Sequence, residues 1–587
     1  MLLCFDVSQC RKYFEMRVFE NMIVNLITTV YNFLWGDLFT IPLPGGGSLG
    51  ISLLILLLIP TGIYFTIRTR FLPIRLFPDM IRALSEKKNE KSSLSSFQTL
   101  IVSTATRVGM GNLVGVVAAV SAGGAGAVFW MWVTALLGTM TGYAENVLGG
   151  YYRRKNGGEW HGGAMYYIRY GLAERKRTSR AAKPLAAVFA GACVLASFGM
   201  GNIVQMNSAA LALESGFGVP AWIAGLALTV CAGAVIFGGM KRTAKVSEKL
   251  VPLMSGLYII GSLMIIAVNF RRLPEVMGEI FRGAFGLEQA AAGVSSYMVK
   301  QAAGMGIRRG VFSNEAGLGS SPSAHASSEE TEPCILGMWS IVEITFNTLI
   351  MCSMTALVLL CCPCRAAPMD EVFQNITAQP QYFRLTEQEG LVTPGAELLV
   401  SGGGELREFR TADGGTFSAP VKSGGITCAN IMKITGVGQG GEISGVVIEE
   451  VSGSELVTTA FSSVFGGMAG KLISAAVVMF AFTTVIGWSC FGSGAAEYLF
   501  GKGFRVPYLV VFTAVSVVGG MLDVSAAWGA ADLFNGVMAA VNLPVVLLLS
   551  GKVVQITRNF SARRFHGSRE EAMISAHGAL SAEEPPD

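Results

Sequence analysis

Glycine and polar residues interrupt an apolar stretch between Ala105 and Gly115. The segment reads Ala-Thr-Arg-Val-Gly-Met-Gly-Asn-Leu-Val-Gly, and glycine costs about 1 kcal/mol against alanine inside a helix. Unwound backbone within a bilayer occurs where it lines a cavity or is buried in protein. Such a break exposes N–H groups that bind a carboxylate and carbonyl oxygens that bind a cation. The alternative is close helix packing through Gly111 and Gly115.

A second segment of the same character lies between Gly306 and Ser321. It reads Gly-Ile-Arg-Arg-Gly-Val-Phe-Ser-Asn-Glu-Ala-Gly-Leu-Gly-Ser-Ser, which places Ser313, Asn314 and Glu315 among glycines. Broken hydrophobic segments at corresponding places in two halves of a chain indicate the binding site of a secondary transporter. The pair of segments therefore favours a small-molecule site over simple helix packing.

Charged side chains also fall within apolar stretches, where each costs at least about 2.5 kcal/mol at the centre of a helix. These residues are Arg107, Glu145, Arg308, Glu315 and Glu343. Each calls for a partner, and we expect an arginine–glutamate pair. We interpret such pairs as supports of the unwound segments or as interfacial groups, with gating or proton relay as the alternative.

The elements that position these residues are membrane-spanning helices. The 587 residues are 51% hydrophobic and 14% charged, against roughly 25% charged in soluble domains, which excludes a soluble fold. The net charge of +4 and the lack of a basic face argue against a nucleic-acid partner. Apolar stretches of the roughly 20 residues that a span requires predict an all-α membrane protein with 11 spans, near residues 49–66, 97–120, 126–151, 184–210, 219–239, 250–270, 298–320, 335–361, 468–492, 507–522 and 528–550.

Lysine and arginine concentrate in alternate connections, which predicts that these connections lie in the cytoplasm. The N-terminus is then outside and the C-terminus inside a multi-pass protein of the bacterial inner or plasma membrane. Residues 1–48 are expected to include an interfacial helix, and residues 1–21 resemble an over-extended start. The sequence indicates a lipid bilayer as surroundings and no obligate protein partner.

Residues 363–466 form a polar insert that the same alternation places outside the membrane. Acidic residues outnumber basic ones, and glycine-rich turns separate short β-favouring runs, so we expect a strand-rich extracytoplasmic domain. We also expect the membrane core to fold without it. The sequence does not decide whether Cys364 and Cys428 form a disulfide. The scattered cysteines and histidines do not suit a zinc or haem site.

Without the first span, ten helices remain, and they divide into two sets of five. Two homologous units with an odd number of helices insert in opposite orientations, as in many secondary transporters. The predicted order is an extra helix with its cytoplasmic loop (49–96), a first five-helix repeat (97–270), an external connection (271–297), a second repeat (298–362 and 467–551) that the insert divides, and a cytoplasmic tail (552–587).

Several motifs in chain order closely resemble the alanine or glycine:cation symporter family. They are Phe97-Gln98, Arg107-Val-Gly-Met-Gly-Asn-Leu-Val-Gly-Val116, Gly123-Gly-Ala-Gly-Ala-Val-Phe-Trp-Met-Trp132, Glu145, Gly162-Gly-Ala-Met-Tyr-Tyr167, Arg309-Gly-Val-Phe-Ser-Asn-Glu-Ala-Gly-Leu-Gly319 and Phe482-Thr-Thr-Val-Ile-Gly-Trp488. The likeness extends from about Tyr31 to Gly551, apart from the insert. It implies a LeuT-like fold with one added N-terminal helix, Na⁺ as coupling ion, and symport of alanine or glycine.

Carried over by position, the resemblance implies an amino-acid pocket formed by Gly109, Met110, Gly111, Asn112, Gln205, Phe312, Ser313, Asn314 and Trp488. A pocket bounded by Met110, Phe312 and Trp488 leaves little room beyond the substrate Cβ. The alternatives are an interfacial anchor for Trp488 and helix–helix hydrogen bonding for Gln205.

Sodium prefers oxygen ligands, and Thr483 and Thr484 offer adjacent hydroxyls within an apolar run. Backbone carbonyls near Thr104, Ala105 and Arg107 on the facing unwound helix complete the predicted ion shell. Threonines in membrane helices also bond their own i−4 carbonyl, which is the alternative interpretation.

Some positions depart from the family pattern. Asn347 stands where aspartate is common, Met110 fills a position that is often small or hydroxylated, and Ala125 and Ala164 replace usual prolines. These departures leave the exact substrate and the ion open, so two alternatives stay: a proton-coupled carrier of small amino acids and a sensor that binds without transporting. The sequence contains no HExxH, GxSxG or Walker-A motif, so an enzyme is not expected.

Overall fold

The computed structural model describes residues 28–43, 47–80, 96–156, 159–286, 295–361, 453–520, 524–566 and 571–574, together with short strands between residues 383 and 450. The described chain is mostly helical. The main helices are α1 (Leu53–Arg68), α2 (Ser96–Arg107), α3 (Met110–Gly123), α4 (Gly126–Tyr151), α5 (Ala164–Ala173), α6 (Ser179–Phe198), α7 (Val204–Phe217), α8 (Ala221–Ile236), α9 (Gly239–Val268), α10 (Leu273–Phe285), α11 (Ser295–Asn314), α12 (Pro333–Ile344), α13 (Ser353–Cys361), α14 (Gly453–Phe465), α15 (Gly467–Phe500), α16 (Arg505–Gly519), α17 (Val524–Leu548) and α18 (Ser550–His566).

Eight helical stretches of the described chain are long and apolar enough to cross a membrane. They are Gln98–Gly123, Gly126–Tyr151, Ser179–Phe217, Gly239–Val268, Pro333–Cys361, Gly467–Phe500, Lys502–Gly519 and Ala531–Leu548. Two shorter apolar helices, α1 and α8, coincide with two further predicted spans. The predicted span at 298–320 corresponds to α11, in which polar and charged residues dilute the apolar ones.

Two spans contain a π-helical segment, which is a single wider turn inside an α-helix and is frequent at functional sites. Residues Gly199–Ile203 join α6 to α7, and Thr345–Cys352 join α12 to α13. Both segments lie inside stretches that the sequence reads as continuous helices. The spacing of apolar residues does not predict the two π-helical segments, because one extra residue in a turn leaves the apolar run intact.

The strands form small antiparallel sheets. They are β1 (Asp37–Leu43), β2 (Gly47–Ser52), β3 (Arg154–Asn156), β4 (Glu159–His161), β5 (Phe383–Arg384), β6 (Leu398–Ser401), β7 (Glu405–Arg410), β8 (Thr416–Val421), β9 (Ile431–Gly436), β10 (Glu442–Ile443) and β11 (Val446–Glu450). Strand β1 pairs with β2, β3 with β4, β7 with β8 and β10 with β5, while β9 lies between β6 and β11.

The N-terminal region differs from the expectation of an interfacial helix followed directly by a span. Residues 28–35 are helical, and strands β1 and β2 then pair with Ile41 opposite Leu49. The helix predicted as the first span therefore begins at Leu53 rather than near residue 49, because residues 47–52 belong to this hairpin. The Ser52 side chain accepts a hydrogen bond from the Ile55 N–H and caps α1.

The C-terminal boundary predicted for the insert also changes. Helix α14 lies within the range 363–466 but packs against α3, α7 and α15 of the membrane core. Its side chains Leu456, Val457, Ala460 and Phe461 are at most 2% exposed. The run is apolar on one face and packs in the core, so the insert ends before Gly453 rather than at residue 466. Cys364 and Cys428 lie outside the described residues.

Helix α4 is central to the packing and contacts α11 and α12 along its length. Small residues on α4 allow this close approach. A Cβ at Gly142 would lie 2.7 Å from Ile344 Cδ1, and one at Gly150 would lie 2.7 Å from Leu336 Cδ1. Helix α4 thereby contacts both α12, which carries the buried Glu343, and α11, which leads into the second broken segment.

Candidate functional site

The first broken helix is interrupted between Arg107, where α2 ends, and Met110, where α3 begins. The Gly109 N–H donates to the Arg107 carbonyl (3.0 Å), and the Met110 N–H donates to Oε1 of Gln205 on α7 (3.2 Å). A Cβ on Gly109 would lie 2.3 Å from the Thr484 hydroxyl, so glycine is what allows α15 to approach the break. The predicted break is present, and Gln205 lies on it.

The interruption frees carbonyl oxygens at the end of α2. In an uninterrupted helix the carbonyls of Ala105 and Thr106 would accept from the N–H groups four residues on, and both of those donors are engaged elsewhere. The Ala105 carbonyl instead accepts the Thr484 hydroxyl at 3.1 Å. The Thr104 carbonyl keeps its helical partner, the Val108 N–H, at 2.7 Å. Of the predicted carbonyl ligands, Ala105 is therefore the one that the break releases.

The two adjacent threonines face different neighbours, because consecutive helical residues point about 100° apart. Thr484 donates to Ala105 at the break, whereas Thr483 lies against Sδ of Met254 on α9 at 3.6 Å. Both hydroxyls also reach the Phe480 carbonyl of their own helix, at 2.9 Å for Thr484 and 3.1 Å for Thr483. The structure thus brings Thr484 to the first break and turns Thr483 toward α9.

The second broken helix ends at Asn314, and the chain then unwinds over residues 315–321. Glu315, Gly317 and Gly319 have φ values of +55°, +89° and +70°, the left-handed region that a non-glycine residue rarely adopts. Oδ1 of Asn314 accepts the Ala316 N–H at 2.9 Å and stabilises the first turn of this segment. A single helical turn at residues 322–325 follows.

A buried polar cluster joins the two breaks. Oγ of Ser313 donates to Oδ1 of Asn112 at 2.5 Å and lies 3.0 Å from Sγ of Cys352. Nδ2 of Asn112 donates to Oδ1 of Asn347, and Nδ2 of Asn347 donates to the Ser313 carbonyl. Sequence analysis noted Asn347 only as a departure from the family and missed Cys352. The signal was available, since Asn347 is an amide within an otherwise apolar span.

Aromatic rings surround this cluster. The Phe312 ring lies 4.6 Å from that of Trp528, and a Cβ on Gly111 would lie 3.0 Å from the Phe312 ring. Trp488 is completely buried, and its indole N–H donates to Oε1 of Glu315 at 3.1 Å. The structure therefore places Trp488 beside the second break and not at a membrane interface.

A buried ion pair lies one helical turn from Phe312. Arg309, one turn before Phe312 on α11, donates to Asp532 on α17 through two bonds of 2.9 and 3.3 Å. The guanidinium lies 4.4 Å from the centroid of the Trp528 ring. Arg309 is 6% and Asp532 3% exposed, so the pair is shielded from solvent. Sequence analysis includes Arg309 only as the first residue of a family motif and does not mention Asp532.

A second buried ion pair lies beside the end of α2. Arg107 contacts Oε2 of Glu343 at 2.7 Å, and Ser103 donates to the same oxygen at 3.0 Å. His325 Nε2 lies 3.0 Å from the other Glu343 oxygen, and its Nδ1 lies 2.6 Å from Oδ1 of Asn146. The expected arginine–glutamate pair is therefore present, and it links α2, α4, α12 and the turn after the second break. His325 and Asn146 were not anticipated.

A model of the sodium:alanine symporter family matches residues 46–382 and 427–574. The match covers both broken segments and every residue of the polar cluster. The unmatched stretch, residues 383–426, falls within the predicted insert. Residues 383–426 are therefore the part of the insert that has no counterpart in the family model.

Relatives of similar length match almost the whole chain. The sodium/alanine symporter AgcS of Methanococcus maripaludis is 32% identical over 92% of this chain and 98% of its own length. The amino-acid carrier protein AlsT of Bacillus subtilis is 30% identical over 93% and 94%. The probable sodium/glutamine symporter GlnT of the same organism is 31% identical over 88% and 89%. A solved manganese transporter of Eremococcus coleocola covers 79% of each chain at 12% identity and a TM-score of 0.40, which is too low to establish a shared fold.

Proposed function

The chain belongs to the sodium:alanine symporter family, and from this we propose that it carries alanine or glycine into the cell together with sodium. The observation that supports this function best is the pair of broken helices at Gly109 and after Asn314, joined by the buried cluster of Asn112, Ser313 and Asn347. Helix ends that meet inside a membrane protein bind a zwitterion through N–H groups on one side and carbonyl oxygens on the other. An amino acid has this charge distribution.

The substrate carboxylate is proposed to bind at the start of α3. Oε1 of Gln205 accepts the Met110 N–H there, which is the kind of contact that a carboxylate oxygen makes with a helix N-terminus. Gln205 can rotate to donate its amide to the substrate, since it offers both a donor and an acceptor. The ammonium group then lies toward the Ser313 carbonyl and the Asn347 side chain at the second break.

The coupling sodium is proposed to bind between α2 and α15. The carbonyls of Ala105 and Thr106 have lost their helical donors, and the Thr484 hydroxyl faces the first of them at 3.1 Å. These are neutral oxygens of the kind that unwound transporter helices present to sodium. Thr483, Thr104 and Arg107, the other predicted ligands, are assigned a supporting role because Thr104 and Arg107 keep backbone donors and Thr483 faces Met254.

The pocket is proposed to accept only small side chains. Phe312 packs directly on Gly111, and the Trp528 ring packs against Phe312 with its centroid 4.6 Å away. A relative of this chain carries the name of a glutamine symporter, so the family scaffold itself does not fix substrate size. In this chain the rings of Phe312 and Trp488, together with Met110, limit the substrate to glycine, alanine and residues of similar volume.

The proposed architecture is a five-plus-five inverted repeat of the LeuT-like type with one extra N-terminal helix, giving 11 spans in all. Support comes from the two breaks, which lie in the first helix of each predicted repeat. Large apolar side chains exposed on the outer helices suit contact with lipid, among them Val230 on α8 and Leu253 and Ile260 on α9. In the proposed orientation the N-terminus is outside the cell and the C-terminus is in the cytoplasm of a bacterium. The insert is proposed to be a strand-rich domain outside the cell.

Equilibrium binding of radiolabelled alanine to the purified protein tests the substrate site. Binding should require sodium and vanish in equimolar choline chloride. Asn112→Ser should weaken it at least tenfold. Asn202→Ser is the matched control, because Asn202 is also a buried amide but its side chain donates to the Phe512 carbonyl on α16 rather than to either broken segment. Equal loss of affinity in both variants, or binding that ignores sodium, would contradict the proposed site.

A further inference from the structure

Three glutamates are buried around the unwound segment after α11, and their hydrogen bonding differs. Glu343 is neutralised by Arg107, and both of its oxygens have partners. Glu315 accepts the Trp488 indole on one oxygen and the Ser320 hydroxyl on the other, at 3.1 and 2.7 Å. Both carboxyl groups are thus fully hydrogen-bonded within the described part of the chain.

Glu145 on α4 is the exception. Its Oε1 accepts the Gly319 N–H at 3.0 Å and the side-chain amide of Asn542 on α17. Its Oε2 has no hydrogen-bond partner among the described residues, although the side chain is completely buried. No ion pair is formed by Glu145 in the same part of the structure. An ionised carboxylate in this position would lack a direct ion-pair partner and a hydrogen bond to Oε2, which is strongly unfavourable in a low-dielectric interior.

We propose that Glu145 is a proton-binding site and that Oε2 carries the proton in the arrangement described here. The neutral carboxylic acid keeps Oε1 as the acceptor for Gly319 and Asn542 and removes the uncompensated charge. The surrounding ionisable groups are Tyr167 on α5, which donates to Oδ1 of Asn542 at 2.5 Å, and Arg107 on α2, which is already paired with Glu343. Neither makes a direct ion pair with Glu145.

The location of this proton connects it to the second break. The Gly319 N–H donates directly to Glu145. Asn542 donates both to Glu145 and to the Gly317 carbonyl, the latter at 2.9 Å. The carboxyl group therefore holds Gly319 directly and Gly317 through Asn542. Loss of the proton to water leaves a carboxylate that needs hydration. Ionisation therefore favours arrangements in which the segment moves away and water reaches Glu145. The proton stabilises the described packing of the segment around Glu145, and raising the pH weakens that packing.

Infrared spectroscopy of the purified protein tests protonation directly and does not depend on the transport activity. The C=O stretching band of a buried carboxylic acid should be present in the wild type at neutral pH and absent in Glu145→Gln. Glutamine has the shape of the protonated acid and keeps the acceptor oxygen, so the fold should be retained. Glu315→Gln is the matched control and should keep the band. Retention of the band in Glu145→Gln, or its loss only in Glu315→Gln, would overturn the assignment.

The pH dependence of thermal stability supplies a second test. The wild-type protein should lose thermal stability as the pH rises through the titration of Glu145, whereas Glu145→Gln should lack this loss. If uptake of alanine also follows the proposed function, its pH dependence should flatten in Glu145→Gln without a change in the sodium half-saturation. Absence of sodium-driven uptake in the wild type would count against the proposed function alone. A shift in sodium half-saturation with an unchanged pH profile would instead make Glu145 a cation ligand and refute the proton site.

Discussion

Replacing Thr484 by valine removes the hydroxyl that donates to the released Ala105 carbonyl, with almost no change in volume. Thr483→Val, at the neighbouring position, removes the same group from the face of α15 that contacts Met254 on α9. Each substitution also deletes one bond to the Phe480 carbonyl. The pair therefore separates loss of an ion ligand from the general cost of removing a threonine hydroxyl in this helix.

The expected magnitude follows from these contacts. A buried oxygen that loses its partner costs about 1–3 kcal/mol, and a loss of about 1–2 kcal/mol in sodium binding corresponds to a rise in half-saturation of roughly 5- to 30-fold. Because ligand coupling is reciprocal, alanine affinity at fixed sodium should fall in Thr484→Val and recover as sodium is raised. Thr483→Val should lower thermal stability by a similar amount as Thr484→Val but leave the sodium dependence within about twofold.

Alanine binding at a series of sodium concentrations measures these effects, with thermal unfolding recorded on the same samples. The reasoning is refuted if both variants keep the wild-type sodium half-saturation, since the ion would then bind elsewhere, closer to Asn112 and Asn314. Equal shifts in both variants would also refute it, because the two hydroxyls face different helices.

Three further outcomes are expected. Replacing residues 383–426 with a short Gly/Ser linker should preserve detergent-stable protein and alanine binding, because the family model does not include this stretch. A deletion that extends through α14 should abolish both. Size-exclusion chromatography of the purified variants distinguishes these results. Leucine and glutamine should not displace bound alanine at concentrations where glycine does, and equal displacement would contradict a pocket limited by Phe312. Asp532→Asn leaves Arg309 buried without its counter-charge and should destabilise the protein by about 3–5 kcal/mol, whereas Glu332→Gln, in the partly exposed bidentate pair with Arg563, should cost at most about 1 kcal/mol.

The sequence predicts most of the membrane helices because long apolar runs leave few other structures. Both broken helices were also predictable, since glycines combined with Asn112 or Ser313 at mid-membrane depth conflict with a continuous helix. The arginine–glutamate pair was expected because an unpaired Arg107 would be too costly. These predictions rest on local composition and on the cost of burying polar groups.

The unanticipated parts depend on distant contacts and on small changes in helix winding. Asn347 reaches the site through a π-helical segment that keeps the apolar pattern of its span, so its orientation was not readable from periodicity. Thr483 and Thr484 looked equivalent because they are adjacent, but the rotation of α15 separates them. Helix α14 was assigned to the insert because it follows a long polar segment, and only its packing shows that it belongs to the core. The Arg309–Asp532 pair joins residues 223 positions apart.

Alanine uptake into proteoliposomes with sodium and proton gradients imposed independently is the most direct test of the central claim. An inward sodium gradient should concentrate alanine inside the vesicles, and the accumulated alanine should leave when the sodium ionophore monensin dissipates that gradient. A proton gradient alone should not drive accumulation, even though Glu145 binds a proton. Accumulation driven by protons without sodium, or sodium-dependent binding with no accumulation under any gradient, would contradict sodium-coupled symport.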